Sequence, residues 1–332
     1  MLKNNRLTPQ RRPKIRKRGP FDLSALTGPN APTFAQVLAV GLGQLEELPD
    51  FSEHKSVAIM SDFGGENHGA QFNTYSFLIL GFNVAATFKK QSEDLRRKHK
   101  ILKPFSEFKF NKLTSGPRSR ALPEFLQMID GSVHGAVVTI AIDKRIHSVF
   151  GGTRKESFPV MEEQLFAMGL GRWRGATAEK VLRVCHVVAI FVALLTKAGQ
   201  HVFWYCDSDA INETARERGF PQMQQIFLHA LSMYARHKTG TIGFGKSFEH
   251  KSYLDDLLSV TDFAAGIVQD LLTAEETGKE IDGGDEKVLL LRWLAAKSEV
   301  LSKIPIQISP MPNGEFGCGL VNITPVEGGA SA

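Results

Sequence analysis

Cysteine is scarce: the 332 residues hold three, Cys185, Cys206 and Cys318, with no C-x-x-C spacing. That gives no support to a disulfide framework or a structural zinc site, and it points to a reducing compartment, the cytoplasm. Long apolar runs are missing too. The longest, Val187 to Leu195, covers nine residues, against the about 20 that a bilayer-spanning helix needs, so no membrane partner is expected. The first residues carry charge and proline instead of an apolar segment and do not read as a secretory signal. No internal repeat, H-x-x-x-H pair or Gly-rich phosphate loop ahead of residue 200 is present.

With 42% hydrophobic residues the chain can bury a full core. Its net charge of +5 is unevenly spread, because residues 1–20 hold eight cations and no acid, leaving the remainder net negative. Arg11, Arg12, Lys14, Arg16, Lys17 and Arg18, interrupted by prolines, form a block that does not fold alone. Such blocks either track nucleic-acid phosphates or serve as solvated tails. The spacing divides the chain into a basic arm (1–33), a body (34–275) and a C-terminal extension (276–332) that follows a polar linker.

Within the body, apolar spacing predicts a helix from Phe34 to Leu48 and a buried strand from Ser56 to Ser61, stopped by Asp62 and the turn pair Gly64-Gly65. Thr74 to Asn83 reads as a second strand across a hairpin, Glu107 to Leu113 as a third by its period of two, and Gly135 to Ile142 as a strand covered on both faces. His201 to Cys206, ending at Asp207, and Thr241 to Gly245 complete the strands. Helices are expected near 85–99, 118–129, 158–169, 176–198, 222–236, 254–272 and 287–301. This order implies an α/β protein with a mixed sheet carrying helices on its faces.

Two of the buried strands end in aspartate, and α/β sheets place their ligand crevice beyond the carboxyl ends of strands. A lone Asp in such a place is more often a turn former; the repetition of Asp62 and Asp207 is what suggests a site. Asp262 lies at the edge of the apolar stripe of its helix, beside the small residues Ala264, Ala265 and Gly266, and can reach past the strand ends. Glu107 is a candidate fourth ligand, with Asp143 and Asp209 in reserve. Convergent acids repel one another unless a cation neutralises them, so the set predicts Mg2+ or Mn2+, ions that favour carboxylate oxygens.

The pattern resembles the ribonuclease-H-like superfamily, and within it a bacterial and phage family that opens on a strand ending D-E-S-G and closes on a helix of the type L-Q-L-A-D-L-I-A-G. The corresponding segments are Asp62-Phe63-Gly64-Gly65 and Leu258-Ser259-Val260-Thr261-Asp262-Phe263-Ala264-Ala265-Gly266. Glu107-Phe108-Lys109 is similar to the family's E-L-K, Ile142-Asp143-Lys144 to its mid-chain strand end, and Val202 to Asp207 to its later strand. The resemblance spans residues 55–275. It implies a ribonuclease-H-like mixed β-sheet flanked by helices, with a helical insertion, and a metal-dependent nuclease acting on nucleic acid through Asp62, Glu107, Asp207 and Asp262. Phe63 and Gly64 depart from the opening motif and remove an acid beside Asp62.

Other readings compete. Asp207-Ser208-Asp209 suits a metal-dependent glycosyltransferase or a phosphatase with an aspartate nucleophile. Asp62-Phe63-Gly64 imitates a kinase metal motif, but no H-R-D-x-x-x-x-N or V-A-I-K accompanies it. From a different class comes a nucleic-acid-binding protein that keeps the fold without the chemistry, in which Phe108, Phe110 or Trp173 stacks bases unless it is core.

Overall fold

The computed structural model describes residues 16–101, 103, 107–247, 251–281 and 283–323. Its elements in chain order are β1 (Lys17–Arg18), α1 (Ser24–Thr27), α2 (Thr33–Leu42), β2 (Leu48–Pro49), β3 (Ser56–Gly64), β4 (Phe72–Gly81), α3 (Ala85–Lys98), α4 (Gly116–Ser132) and β5 (Gly135–Asp143). They continue with α5 (Arg154–Ala167), α6 (Gly175–Leu195), β6 (His201–Cys206), α7 (Phe220–Tyr234), β7 (Ile242–Lys246), α8 (Tyr253–Thr277), α9 (Asp285–Ala295), β8 (Leu301–Pro310) and β9 (Phe316–Leu320).

Seven strands form one mixed sheet in the order β7-β6-β3-β4-β5-β8-β9. The β3–β4 hairpin is antiparallel, as is β4–β5, while β6 runs parallel to β3 and β7 parallel to β6. This is an α/β architecture, a mixed sheet flanked by helices, and it is compatible with a ribonuclease-H-like fold. Side chains alternate across it as the pleat requires. Val57 and Ile59 enter a core with α2, α5, α6 and α7, whereas Ala58 and Met60 enter one with α3, α4, α8 and α9. β5 is buried along its whole length, which is why its sequence is a near-continuous apolar run rich in β-branched residues rather than alternating.

Helix α8 is long and apolar enough to cross a membrane by length and composition; here it packs along β3, β4 and β5. Ser252 and Asp255 close its N-terminus as a capping box. Phe263, fully buried on its inner face, stacks edge-on against Phe125 of α4 at 6.0 Å. Truncation of such a residue to alanine costs about 3–5 kcal/mol.

Three expectations change. Residues 16–33, assigned to the arm, are structured: β1 pairs with β2, and Arg16, Lys17 and Arg18 meet Glu53, Glu47 and Asp50 at 3.7, 3.4 and 3.9 Å. These three cations are therefore engaged with the body's own acids, while Arg11, Arg12 and Lys14 lie outside the described residues. Residues 107–113 form no strand; an extended stretch leads into a 3₁₀ turn at Phe110–Lys112 that rests on α8. The helix expected over 287–301 ends at Ala295, and β8 then pairs parallel with β5 and antiparallel with β9. The C-terminal extension thus supplies two strands of the central sheet.

Candidate active site

Strand alternation fixes the first two acids. In β3, Ala58 and Met60 face α8, so Asp62 does too; in β6, Tyr205 does, so Asp207, two residues on, follows it. The Asp207 amide donates to the Ser61 carbonyl at 3.1 Å and prolongs the parallel ladder by one step, which sets Asp62 and Asp207 side by side. Asp262 comes from α8 and Glu107 from the segment before the 3₁₀ turn, and all four line one cleft with Lys109 and Asp255. The space among them is about 10 Å³, close to what a single bound water or small ion needs.

Gly266 explains how the segment docks. A side chain there would overlap the ring of Phe110, so the glycine lets Phe110 lie on α8. From that position the Phe110 amide donates to Asp262 Oδ2 at 2.7 Å, and Lys109 is aimed into the cleft, with Nζ 2.9 Å from Glu107 and 3.7 Å from Asp207. Phe108 stacks on Phe125 at 4.6 Å within the core, and Trp173 is buried as well, so neither is open to a base.

Charge is concentrated and incompletely balanced. Burial, then the charges of Asp262 and Asp207, push the Asp62 carboxyl well above the usual carboxylate range, against its bond from the Phe63 amide and the pull of Lys109. Burial likewise raises Asp262 to about 6, opposed by the Phe110 amide and Lys109 and assisted by Asp207 and Glu107. For Glu107 burial also disfavours the charge, but hydrogen bonds from Lys251 and Lys109 outweigh it and hold the carboxyl below its ordinary value. Five carboxyl groups therefore line the cleft with one ammonium, Lys109, while a second, Lys251, pairs with Glu107.

The reserve acids are engaged elsewhere. Asp143, buried at the end of β5, takes a fork of hydrogen bonds from Arg145 at 2.6–3.1 Å, and Asp209 pairs with Lys180 of α6 at 2.5 Å. Neither lines the cleft. Sequence reasoning passed over Asp255 and Lys251. Asp255 is fully buried and accepts from Ser247 at 2.7 Å and from the Ser252 amide at 2.7 Å, which makes it the brace of the α8 N-terminus. Its signal was legible as the S-x-x-D box Ser252 to Asp255.

Among the described residues no three His, Cys, Asp or Glu side chains already stand in a metal-coordinating arrangement. Four histidines are engaged with protein partners: His134 bonds His54 at 3.0 Å, His186 bonds Tyr234 at 2.5 Å, and His201 accepts from the Thr241 amide at 3.0 Å. No protein-family model and no curated protein matches the chain.

Proposed function

We propose that the protein is a metal-dependent nuclease of the ribonuclease-H-like superfamily, hydrolysing phosphodiester bonds of nucleic acid with Mg2+ or Mn2+. The observation that carries this reading is the convergence of Asp62, Asp207 and Asp262, from two adjacent strand ends and a helix, in one cleft where two carboxyls are held above their ordinary range. Repulsion among oxygen donors that Lys109 only partly offsets, with room for one small body, fits a hard divalent cation. Asp62, Asp207 and Asp262 would hold it, and Glu107 would complete the set once freed from its lysines. A cation bound there supplies Lewis-acid charge and a more acidic bound water. The Phe110 amide orients Asp262, and Lys109 is placed to meet a phosphate oxygen.

One observation favours a second reading. Lys109 Nζ already lies between Glu107 and Asp207, so its ammonium serves as an internal cation, as a binding protein without hydrolytic chemistry would use it. Incubating labelled single-stranded and duplex DNA and RNA with Mg2+ or Mn2+ separates the two. Cleavage that is abolished by EDTA and by Asp62→Asn supports the nuclease. Absence of cleavage on every substrate, together with binding that Asp62→Asn leaves intact, would favour the binding protein.

A further inference from the structure

The basic N-terminal block points to nucleic acid, yet each of its described cations, Arg16, Lys17 and Arg18, faces an acid of the body. A denser basic stretch of chain runs through Glu107 and Lys109 of the cleft. Between residues 89 and 120 the sequence carries eleven Lys and Arg against three acids, in a protein whose remainder beyond the arm is net negative. The described ones belong to α3, to residues 99–101, 103 and 107–112, and to the start of α4; α3 packs on α4, and Lys98 and His99 both reach Glu124 of α4 at 2.8 Å. The connection to the cleft is direct. Arg96 of α3 lies 5.1 Å from the ring of Phe108, between Glu107 and Lys109, and it pairs with Asp256 of α8.

Some of this charge has structural employment. Arg96 is buried in its pair with Asp256, and cations in the last turn of α3 complement that helix's dipole. That accounts for neither the exposed Lys100, Lys103, Lys112 and Arg120 nor Lys90. None of these five has an acidic partner among the described residues. Unpaired, exposed cations repel one another, and their concentration in the stretch of chain that carries Glu107 and Lys109 of the acidic cleft calls for an external polyanion.

We propose that this α3–α4 ridge is the surface that holds the phosphate backbone of a nucleic acid and leads it to the acid cleft. The inference rests on the nuclease reading for its second half and on charge alone for its first. An anionic membrane is the other polyanion to consider, since a basic amphipathic helix can lie on lipid. Here the apolar face of α3 is spent: Phe88 and Leu95 are buried in the core, and among the described residues between positions 85 and 132 no large hydrophobic is exposed. A backbone of evenly spaced phosphates needs only the cations.

The test is binding of a labelled oligonucleotide, single-stranded and duplex, to the full chain in EDTA, read by anisotropy over a salt series. The triple variant Lys100→Glu, Lys103→Glu, Lys112→Glu is compared with the wild type and with an arm variant, Arg11→Glu, Arg12→Glu, Lys14→Glu. Circular dichroism and urea midpoints confirm that the variants fold. We expect the ridge variant to lose more than about tenfold in affinity and to flatten the log–log salt slope by about three, since each lost phosphate contact removes about 0.9. An unchanged affinity and slope in the ridge variant would overturn the proposal. So would loss confined to the arm variant, or capture of phosphatidylserine vesicles without any binding of oligonucleotide. Because metal is absent, the two readings fail separately. Ridge-dependent binding without cleavage in Mg2+ or Mn2+ leaves the ridge standing and removes the nuclease; cleavage with KM unaffected by the ridge variant does the reverse.

Discussion

Asparagine in place of Asp262 keeps an acceptor for the Phe110 amide, 2.7 Å away, and deletes one negative charge from the cleft. The sign of the effect follows from proton linkage. Asp262 titrates at about 6 in the folded chain against 3.8 as its ordinary value, so between these pH values the native state binds more protons than the unfolded one. Stability then falls as pH rises through that window, and the whole cost is present above about pH 6. Two pK units correspond to about 3 kcal/mol. Asp262→Asn should therefore stabilise the metal-free protein by about 2–3 kcal/mol at pH 7 and by little at pH 4. Urea unfolding in EDTA at both pH values measures this, and a fourfold molar range of added Mn2+ should then raise the wild-type midpoint while leaving the variant's in place. A variant less stable than the wild type at pH 7, or equally shifted at pH 4, would refute the idea that repulsion and burial set the state of this carboxyl.

Other outcomes are equally open to measurement. His54 and His134 form a buried pair, each with one ring nitrogen lacking a hydrogen-bond partner, and burial lowers His134 to about 4. The unfolded chain then takes up protons first as pH falls from 6.5 toward 4, so this pair costs stability in that window, roughly 3 kcal/mol for His134; an NMR titration placing His134 near 6.5 would contradict it. Gly266→Ala should expel the Phe110 ring, cost about 1–3 kcal/mol by overpacking, and weaken Mn2+ binding measured calorimetrically, because Lys109 and the Asp262 bond move with Phe110. Arg96→Ala strands the buried Asp256 and should cost about 3–5 kcal/mol in urea unfolding, most of it recovered by the double replacement Arg96→Met with Asp256→Leu.

Much of this was legible in the sequence because burial leaves a pattern. Gly135 to Ile142 and His201 to Cys206 announce strands enclosed on both faces, and Asp62 and Asp207 at the ends of two buried strands announce an edge open to ligand. What escaped did so for identifiable reasons. In β8 the residues Ile304, Ile306 and Ile308 alternate inward with period two, but Pro305 and Pro310 and the glycines of β9 gave the region the texture of a loop. Glu107 to Leu113 alternates like a strand, yet the close approach of Phe110 to Gly266 settles it on a helix instead of a sheet edge. Asp143 and Asp209 looked equal to Asp207 in the sequence. Arg145 two residues away and Lys180 on a distant helix claim them, and only the first of those partners is visible locally.

The pairing of β8 with β5 has a bearing on how the chain is made. β5 is complete once residue 143 has been synthesised, but the neighbour that covers its second edge starts at Leu301, so a nascent chain carries that edge bare for about 160 residues of translation, on the order of ten to thirty seconds. Its exposed backbone is apolar, β-branched and free of charge until Asp143, the composition that recruits foreign strands. Until β8 is made that edge is open to foreign strands, and a chain truncated before residue 301 is expected to aggregate.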